Sequence, residues 1–134
     1  MHAGNNRLMK CDMLRQLTDK IKSMFQKDFL ETPDIKEKIY SDFGDRAETV
    51  INTLREAIEK HDYMNNGRIL RCIIYLADKN LEALTKYIDN AIWDPRDVMY
   101  WAEYINNEQG FEGNPKRVRD FNKTFQFCEN DVYE

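Results

Sequence analysis

Two arginines one helical turn apart are the residues whose type and spacing could most readily do chemistry in this chain. Arg68 and Arg71 lie in the run RILRCIIYLAD, residues 68–78, and Tyr75 continues the same edge one turn further on. Two guanidinium groups at this spacing can hold a carboxylate or a phosphate in bidentate fashion. Arg68, Arg71 and Tyr75 are therefore a candidate anion-binding site.

The same arginines also have a structural interpretation, which we favour. The run 68–78 is apolar around most of its circumference, which is typical of the central helix of a bundle. A mostly buried helix must have its charges paired, and Asp94 and Asp97 are the acids expected to pair with Arg68 and Arg71. If a pocket exposes the arginines instead, the four residues predict a small anionic-ligand-binding or enzymatic protein, with Asp94 or Asp97 as acid or base.

A second group of side chains suits binding to another protein. Tyr100 and Tyr104 lie one turn apart in a predicted helix, with Asp97 nearby, and Trp93 stands just before that helix. Tyrosine and tryptophan beside charges are typical of protein interfaces. We interpret Trp93, Asp97, Tyr100 and Tyr104 as a partner-binding face. The alternative is that the first helix or the C-terminal tail covers these rings. The residues expected to point inward from the same helix are Val98, Trp101, Ala102 and Ile105.

Sets of residues that carry common enzymatic chemistries are missing from the sequence. The two serines, Ser23 and Ser41, do not lie in a strand-turn-helix elbow, and the two histidines, His2 and His61, form no pair at metal-ligand spacing. The chain also has no glycine-rich phosphate loop. We therefore predict no catalytic residue, no metal site, no cofactor and no enzymatic activity.

Composition limits the kinds of partner. The net charge of −4 is spread over mixed acids and bases, whereas nucleic-acid binding needs a basic stripe, so we predict no nucleic-acid partner. No apolar run approaches the roughly 20 residues that span a bilayer, so we predict no membrane association. Three widely spaced cysteines, Cys11, Cys72 and Cys128, read as free thiols of a cytoplasmic protein. The oligomeric state has no signature in the sequence.

The elements that must position these residues are predicted to be helices. Apolar residues recur at helical spacing from about Met9 to Leu30, and start signals follow at Thr32-Pro33, at Asp45 with Glu48, at Asn80 and at Asp94-Pro95. The connections are short, so consecutive helices must pack as antiparallel neighbours. The sequence therefore predicts an all-α fold, a single-domain bundle of about five or six antiparallel helices with a buried central helix near 68–78.

The bundle is expected to occupy residues 9–106. Residues 1–8 carry no pattern and are predicted to be a disordered N-terminus. Residues 107–134 are predicted to form a C-terminal segment with one short helix, which begins at Asn114-Pro115 and carries Val118 and Phe121. An aromatic tail follows and is expected to dock on the bundle.

Three segments, RILRCIIYLADKNLEALTKYI, DPRDVMYWAEY and RVRDFNKTF, together resemble a class of small bacterial all-helical proteins without an assigned activity. This resemblance covers the C-terminal half and implies no catalytic residues. The leading functional hypothesis is a non-catalytic, cytoplasmic protein-protein interaction module. Small size, acidic charge and exposed tyrosines also fit a specific version, a neutraliser such as an immunity protein or antitoxin that covers a basic partner.

Overall fold

The computed structural model describes residues 13–18 and 27–129. Residues 13–18 are helical, which agrees with the periodicity over Met9 to Leu30, but the end of that predicted helix is wrong. Phe29–Glu31 is a short 3-10 turn, because the Asp28 side chain accepts the backbone N–H of Leu30 at 3.1 Å and starts a new element. The predicted disordered segment 1–8 and the last residues of the tail lie outside the described residues.

Residues 27–129 form an all-α single-domain bundle, as the sequence predicts. Its five α-helices are α1 (Pro33–Phe43), α2 (Ala47–Lys60), α3 (Gly67–Ala77), α4 (Leu81–Trp93) and α5 (Pro95–Glu103). Two short strands, β1 (Tyr104–Ile105) and β2 (Lys116–Arg117), pair antiparallel after α5. No helix among the described residues is long and apolar enough to cross a membrane.

Capping side chains set most of the helix starts. Asn66, Asn80 and Asp94 each accept a backbone N–H of the helix that they open, at 2.9 to 3.1 Å. The predicted cap at Asp45 is wrong. A 3-10 turn, Gly44–Arg46, precedes α2, and the Glu48 carboxylate accepts the hydroxyl of Tyr40 instead of closing a capping box.

Helix α3 is the predicted central helix, and eight of its eleven residues are buried. It packs mainly on α4 and α5, and α1 covers another side. Leu70, Cys72, Ile73 and Ile74 are all inaccessible to solvent. Each fully buried aliphatic side chain of this size stabilises the fold by about 1.5–3 kcal/mol, so α3 carries much of the core.

Between Asn114 and Glu129 the described chain contains no helix, so the short helix predicted after Asn114-Pro115 is wrong. Lys116–Arg117 is strand β2, and the backbone N–H groups of Val118 and Arg119 both donate to the carbonyl of Glu103, at 2.8 and 3.2 Å. These tertiary hydrogen bonds replace the ones that a helix would have made. Phe121 is then fully buried in the core against Tyr75, with 5.3 Å between ring centroids.

Candidate functional site

Arg71 is a buried cation on α3 that ties the C-terminal segment to α1. Its side chain is 8% exposed and forms a bidentate pair with Asp34, at 2.9 and 3.0 Å, and its third nitrogen donates to the carbonyl of Phe121 at 3.2 Å. Gly67, one turn earlier, leaves room for it. A Cβ at that position would lie 3.1 Å from the Arg71 guanidinium and 3.2 Å from the Phe29 ring.

The carboxylate of Asp34 is held in its charged form. Burial alone would raise its pKa, but hydrogen bonds from Arg71 and from the backbone N–H of Phe125 outweigh burial and lower the pKa below the ordinary value of 3.8. Asp34 therefore remains ionised at neutral pH and neutralises Arg71. The pair joins α1, α3 and the C-terminal segment at one point.

Glu103 is the second anchor, at the last turn of α5, and its carboxylate is fully buried. Arg68 donates to it twice, at 3.1 and 2.5 Å, and Arg117 donates at 3.4 Å. The backbone N–H of Phe121 completes the set at 2.9 Å. The buried carboxylate therefore accepts four hydrogen bonds, which compensate the loss of its contacts with water.

Arg119 closes this group of charges on its outer side. Its guanidinium carbon lies 4.5 Å from the centre of the Tyr75 ring, and it donates to the carbonyl of Ala102 and to Glu129. We call Arg68, Arg71, Arg117 and Arg119, together with their acids Asp34 and Glu103, the arginine cluster. Its cations are matched inside the protein, by carboxylates and carbonyls.

The prediction that Asp94 and Asp97 pair with the two arginines of α3 is wrong. Arg71 pairs with Asp34 and Arg68 pairs with Glu103, because these carboxylates face α3 in the folded chain. Asp94 instead accepts the N–H of Arg96 as the cap of α5 and pairs with the side chain of the same residue at 3.0 Å. Asp97 lies on the exposed side of α5. The geometry therefore does not assemble Arg68, Arg71, Asp94 and Asp97 into one pocket.

Apolar side chains of α4, of α5 and of the chain that follows α5 are exposed. From Trp93 to Phe111, four large hydrophobic side chains are exposed, and two tyrosines between them are partly exposed. We call this set the aromatic surface; it consists of Trp93, Tyr100, Trp101, Tyr104, Ile105 and Phe111. Trp93 is 90% exposed and Phe111 is 96% exposed, so that both project almost entirely into solvent.

Tyr100 of α5 and Tyr104 of β1 form the middle of the aromatic surface. Their ring centroids are 5.1 Å from each other. Trp101 projects beside them and contacts Tyr87 of α4 edge to face, at 6.3 Å. The side-chain amide of Asn107 donates to the carbonyl of Tyr104 at 2.5 Å and fixes the chain after α5.

The inward orientation predicted for Trp101 and Ile105 is wrong. Val98 and Ala102 are fully buried, whereas Trp101 is 37% and Ile105 is 41% exposed. The apolar stripe of α5 is therefore narrower than the sequence suggests, because the helix ends at Glu103 and Ile105 belongs to β1. Sequence reasoning also missed Phe111, although its position in the glycine-flanked segment Gly110–Gly113 indicates an exposed loop tip.

A shallow cavity of about 490 Å³ opens next to Trp101. Tyr87 and Leu76 give it an apolar floor, and Lys86, Asn90 and Glu108 supply polar groups at its edge.

Two observations on the described residues concern metal ligands and thiols. No group of three or more histidine, cysteine or acidic side chains there could hold a metal ion. Cys72 and Cys128 are buried free thiols, and burial raises the pKa of both. A raised pKa keeps a thiol protonated, and the thiolate is the nucleophile.

The comparisons with known proteins supply no relative from which a function could be transferred. The structure itself offers two candidate regions, the arginine cluster and the aromatic surface. No family model, no curated protein and no solved structure matches this chain.

Proposed function

We propose that this chain is a non-catalytic protein-binding module that holds its partner on the aromatic surface. One observation carries the proposal: six aromatic or large aliphatic side chains lie at or near the surface within one stretch of 19 residues, from Trp93 to Phe111. Exposed large apolar side chains concentrated in one part of a chain are candidates for a binding site on a globular protein. Tryptophan and tyrosine are also the residues that most often dominate interface energies.

The arginine cluster argues against the alternative function, which is an anion-binding or enzymatic site. An anion-binding or enzymatic site needs arginines with free donors in a concave pocket. The whole residue Arg71 is 7% exposed, and its guanidinium donates to Asp34 and to the carbonyl of Phe121. Arg68 donates to Glu103. A ligand at this place would have to replace buried ion pairs, at a cost of several kcal/mol.

The chemistry around the aromatic surface favours a basic partner. Between Leu81 and Gly113 the chain has seven acidic and two basic residues, and only Glu103 among these acids is buried. An acidic surface with aromatic anchors suits the neutraliser form of the proposal, in which the module covers a basic protein such as a toxin. Charge complementarity of this kind raises association rates and selects partners. We place the module in the cytoplasm, where its buried thiols would stay reduced.

A comparative capture experiment tests the proposal. Wild-type chain, a Trp93→Ser/Trp101→Ser variant and a Tyr40→Ser/Phe127→Ser control are immobilised and exposed to lysate of the source cells. The control removes two side chains with exposures of 42% and 51% that lie outside the aromatic surface. We expect a stoichiometric partner on the wild type and the control but not on the Trp93/Trp101 variant.

Titration calorimetry with the purified partner then measures the effect. Loss of two aromatic anchors should weaken binding by at least about 2 kcal/mol, roughly 30-fold in Kd. Equal affinity of all three proteins for that partner would contradict the proposal. Circular dichroism must show that the variants fold like the wild type.

A further inference from the structure

The aromatic surface has a matching segment in the same chain. We infer that the basic, amphipathic N-terminal segment, residues 7–27, docks on the aromatic surface of its own molecule and competes there with an external partner. This inference rests on the proposed function only in that both use the same surface. Four observations carry it, namely an uncovered apolar stripe, opposite charge, the point where the segment joins the bundle, and sufficient length.

The first observation is an apolar stripe without cover. Residues 13–18 are helical, and Met13, Leu14 and Leu17 are 66%, 62% and 55% exposed. In the sequence the same spacing continues through Ile21 and Met24. An amphipathic helix whose apolar side faces water is stabilised by any apolar surface that it can reach.

The second observation is complementary charge. Residues 7–27 contain six basic and two acidic residues, a net charge of +4. Residues 81–113, which include the aromatic surface, contain seven acidic and two basic residues, and because Glu103 is buried and paired, the side chains outside the core have a net charge of −4. The whole chain has a net charge of only −4, so the two stretches are strongly polarised in opposite directions. Electrostatic attraction of this kind fixes which surfaces associate.

The third observation is where the segment joins the bundle. The carbonyl of Lys27 accepts the side-chain amide of Asn65 at 2.8 Å, and Asn65 also accepts the N–H of Phe29 at 3.0 Å. Two residues before Asn65, the hydroxyl of Tyr63 donates to the carbonyl of Ile92 at 2.5 Å. Ile92 precedes Trp93. The segment is therefore tethered beside the Trp93 end of the aromatic surface.

The fourth observation is length. If residues 9–26 form one helix, as the periodicity in the sequence predicts, that helix is about 27 Å long, whereas the nine residues of α5 span about 14 Å. The segment is thus long enough to run the length of α5. A short tether also gives an effective concentration in the millimolar range, so even a weak contact is substantially populated. This favours docking within one molecule over docking on a second copy.

The two tryptophans of the chain make the inference directly testable. Trp93 and Trp101 are the only ones in the sequence, and both belong to the aromatic surface. Their fluorescence therefore reports on this surface alone. The full-length wild type is compared with a Leu14→Gln/Leu17→Gln variant, which removes apolar side chains but leaves charge and helix propensity nearly unchanged. Gln16→Ala, on the polar side of the same helix, is the matched control.

Docking predicts a difference between these proteins. The wild type and the Gln16→Ala control should emit at shorter wavelength, and acrylamide should quench them less than the Leu14→Gln/Leu17→Gln variant. Salt should reduce the protection, because opposite charges contribute to docking. A synthetic peptide of residues 7–27, added to the variant, should restore the protection at about millimolar concentration. Circular dichroism checks that all three proteins keep the same fold.

Two results would overturn the inference. Identical emission and quenching of the wild type and the Leu14→Gln/Leu17→Gln variant would show that the segment does not cover the aromatic surface. Protection that disappears when the wild type is diluted would assign the contact to a second copy. Neither result affects the proposed function, because capture of an external partner by the Trp93 and Trp101 side chains is measured separately.

Discussion

The arginine cluster and the aromatic surface both depart from the usual distribution, in which charged side chains are exposed and apolar side chains are buried. The arginine cluster places charged groups in the core, and the aromatic surface places apolar rings in water. The charged groups are saturated with internal partners, whereas Trp93 and Phe111 contact little of the protein. The comparison teaches that residue type alone does not identify a binding site. A binding site is identified by side chains that make few contacts in the folded protein.

The largest expected effect breaks the arginine cluster at Glu103. Its replacement by alanine leaves Arg68 and Arg117 without their shared carboxylate and removes the acceptor of the Phe121 N–H. Loss of one partner from a buried ionic group costs about 3–5 kcal/mol. Urea unfolding should show this loss for Glu103→Ala. Glu108→Ala, at an exposed acid, should stay within about 0.5 kcal/mol of the wild type. If Glu103→Ala lowered the unfolding free energy by less than about 1 kcal/mol, the buried carboxylate would not be the shared anchor of the arginine cluster.

A second substitution compares a buried ion pair with an exposed one. Arg71→Met removes both guanidinium donors of Asp34 and the donor to the carbonyl of Phe121, and we expect a loss of about 3 kcal/mol. Arg55→Met is the matched control, since Arg55 pairs with Asp28 and Glu31 at the surface and should contribute at most about 1 kcal/mol. Equal losses in thermal or urea unfolding would remove the distinction between the two pairs.

The pH dependence of stability should follow Asp34. Its folded-state pKa lies below the ordinary 3.8, so its contribution is present above that pH and is lost as pH falls through the folded value. Asparagine does not titrate, so the Asp34→Asn variant has no such contribution to lose. Its unfolding free energy should therefore fall less steeply than that of the wild type below about pH 4. Asp120, whose pKa is also lowered, is unchanged in both proteins and cancels. Parallel pH profiles would contradict the pairing with Arg71.

The smallest expected effect is on the aromatic surface. Trp93→Ala should change the unfolding free energy by no more than about 0.5 kcal/mol, because the side chain is 90% exposed. The Tyr100→Ala/Tyr104→Ala variant should lose somewhat more, about 1 kcal/mol, since the two rings contact each other. Losses comparable to that of Glu103→Ala would show that the aromatic surface is part of the core rather than a free surface.

Local signals in the sequence predicted the fold well. Asn80 and Asp94 act as caps as expected, because a cap depends only on residues two or three positions away. The partners of the arginines were out of reach of such reasoning. Asp34 lies 37 residues from Arg71, and Glu103 lies 35 residues from Arg68, so their pairing depends on the packing of whole helices.

The candidate site was predicted only in part. Trp93, Tyr100 and Tyr104 were identified from residue type and spacing, but Trp101 was not, because periodicity alone cannot decide which of two adjacent stripes of α5 faces the core. The excess of acids over residues 81–113 is visible in the sequence and would have strengthened the prediction of a basic partner. The helix predicted around Val118 failed because Glu103 captures the backbone of that segment.

The anchoring of Phe121 also has a consequence during synthesis. Its carbonyl, which completes the coordination of Arg71, lies 50 residues downstream of that arginine. At about 5–20 residues per second, the ribosome needs roughly 3–10 seconds to supply it. Until it is supplied, the side of the central helix that Phe121 covers in the folded protein has no cover from that ring. We therefore expect the core to close only after residue 121 has been made, which gives a chaperone that binds apolar segments several seconds to act.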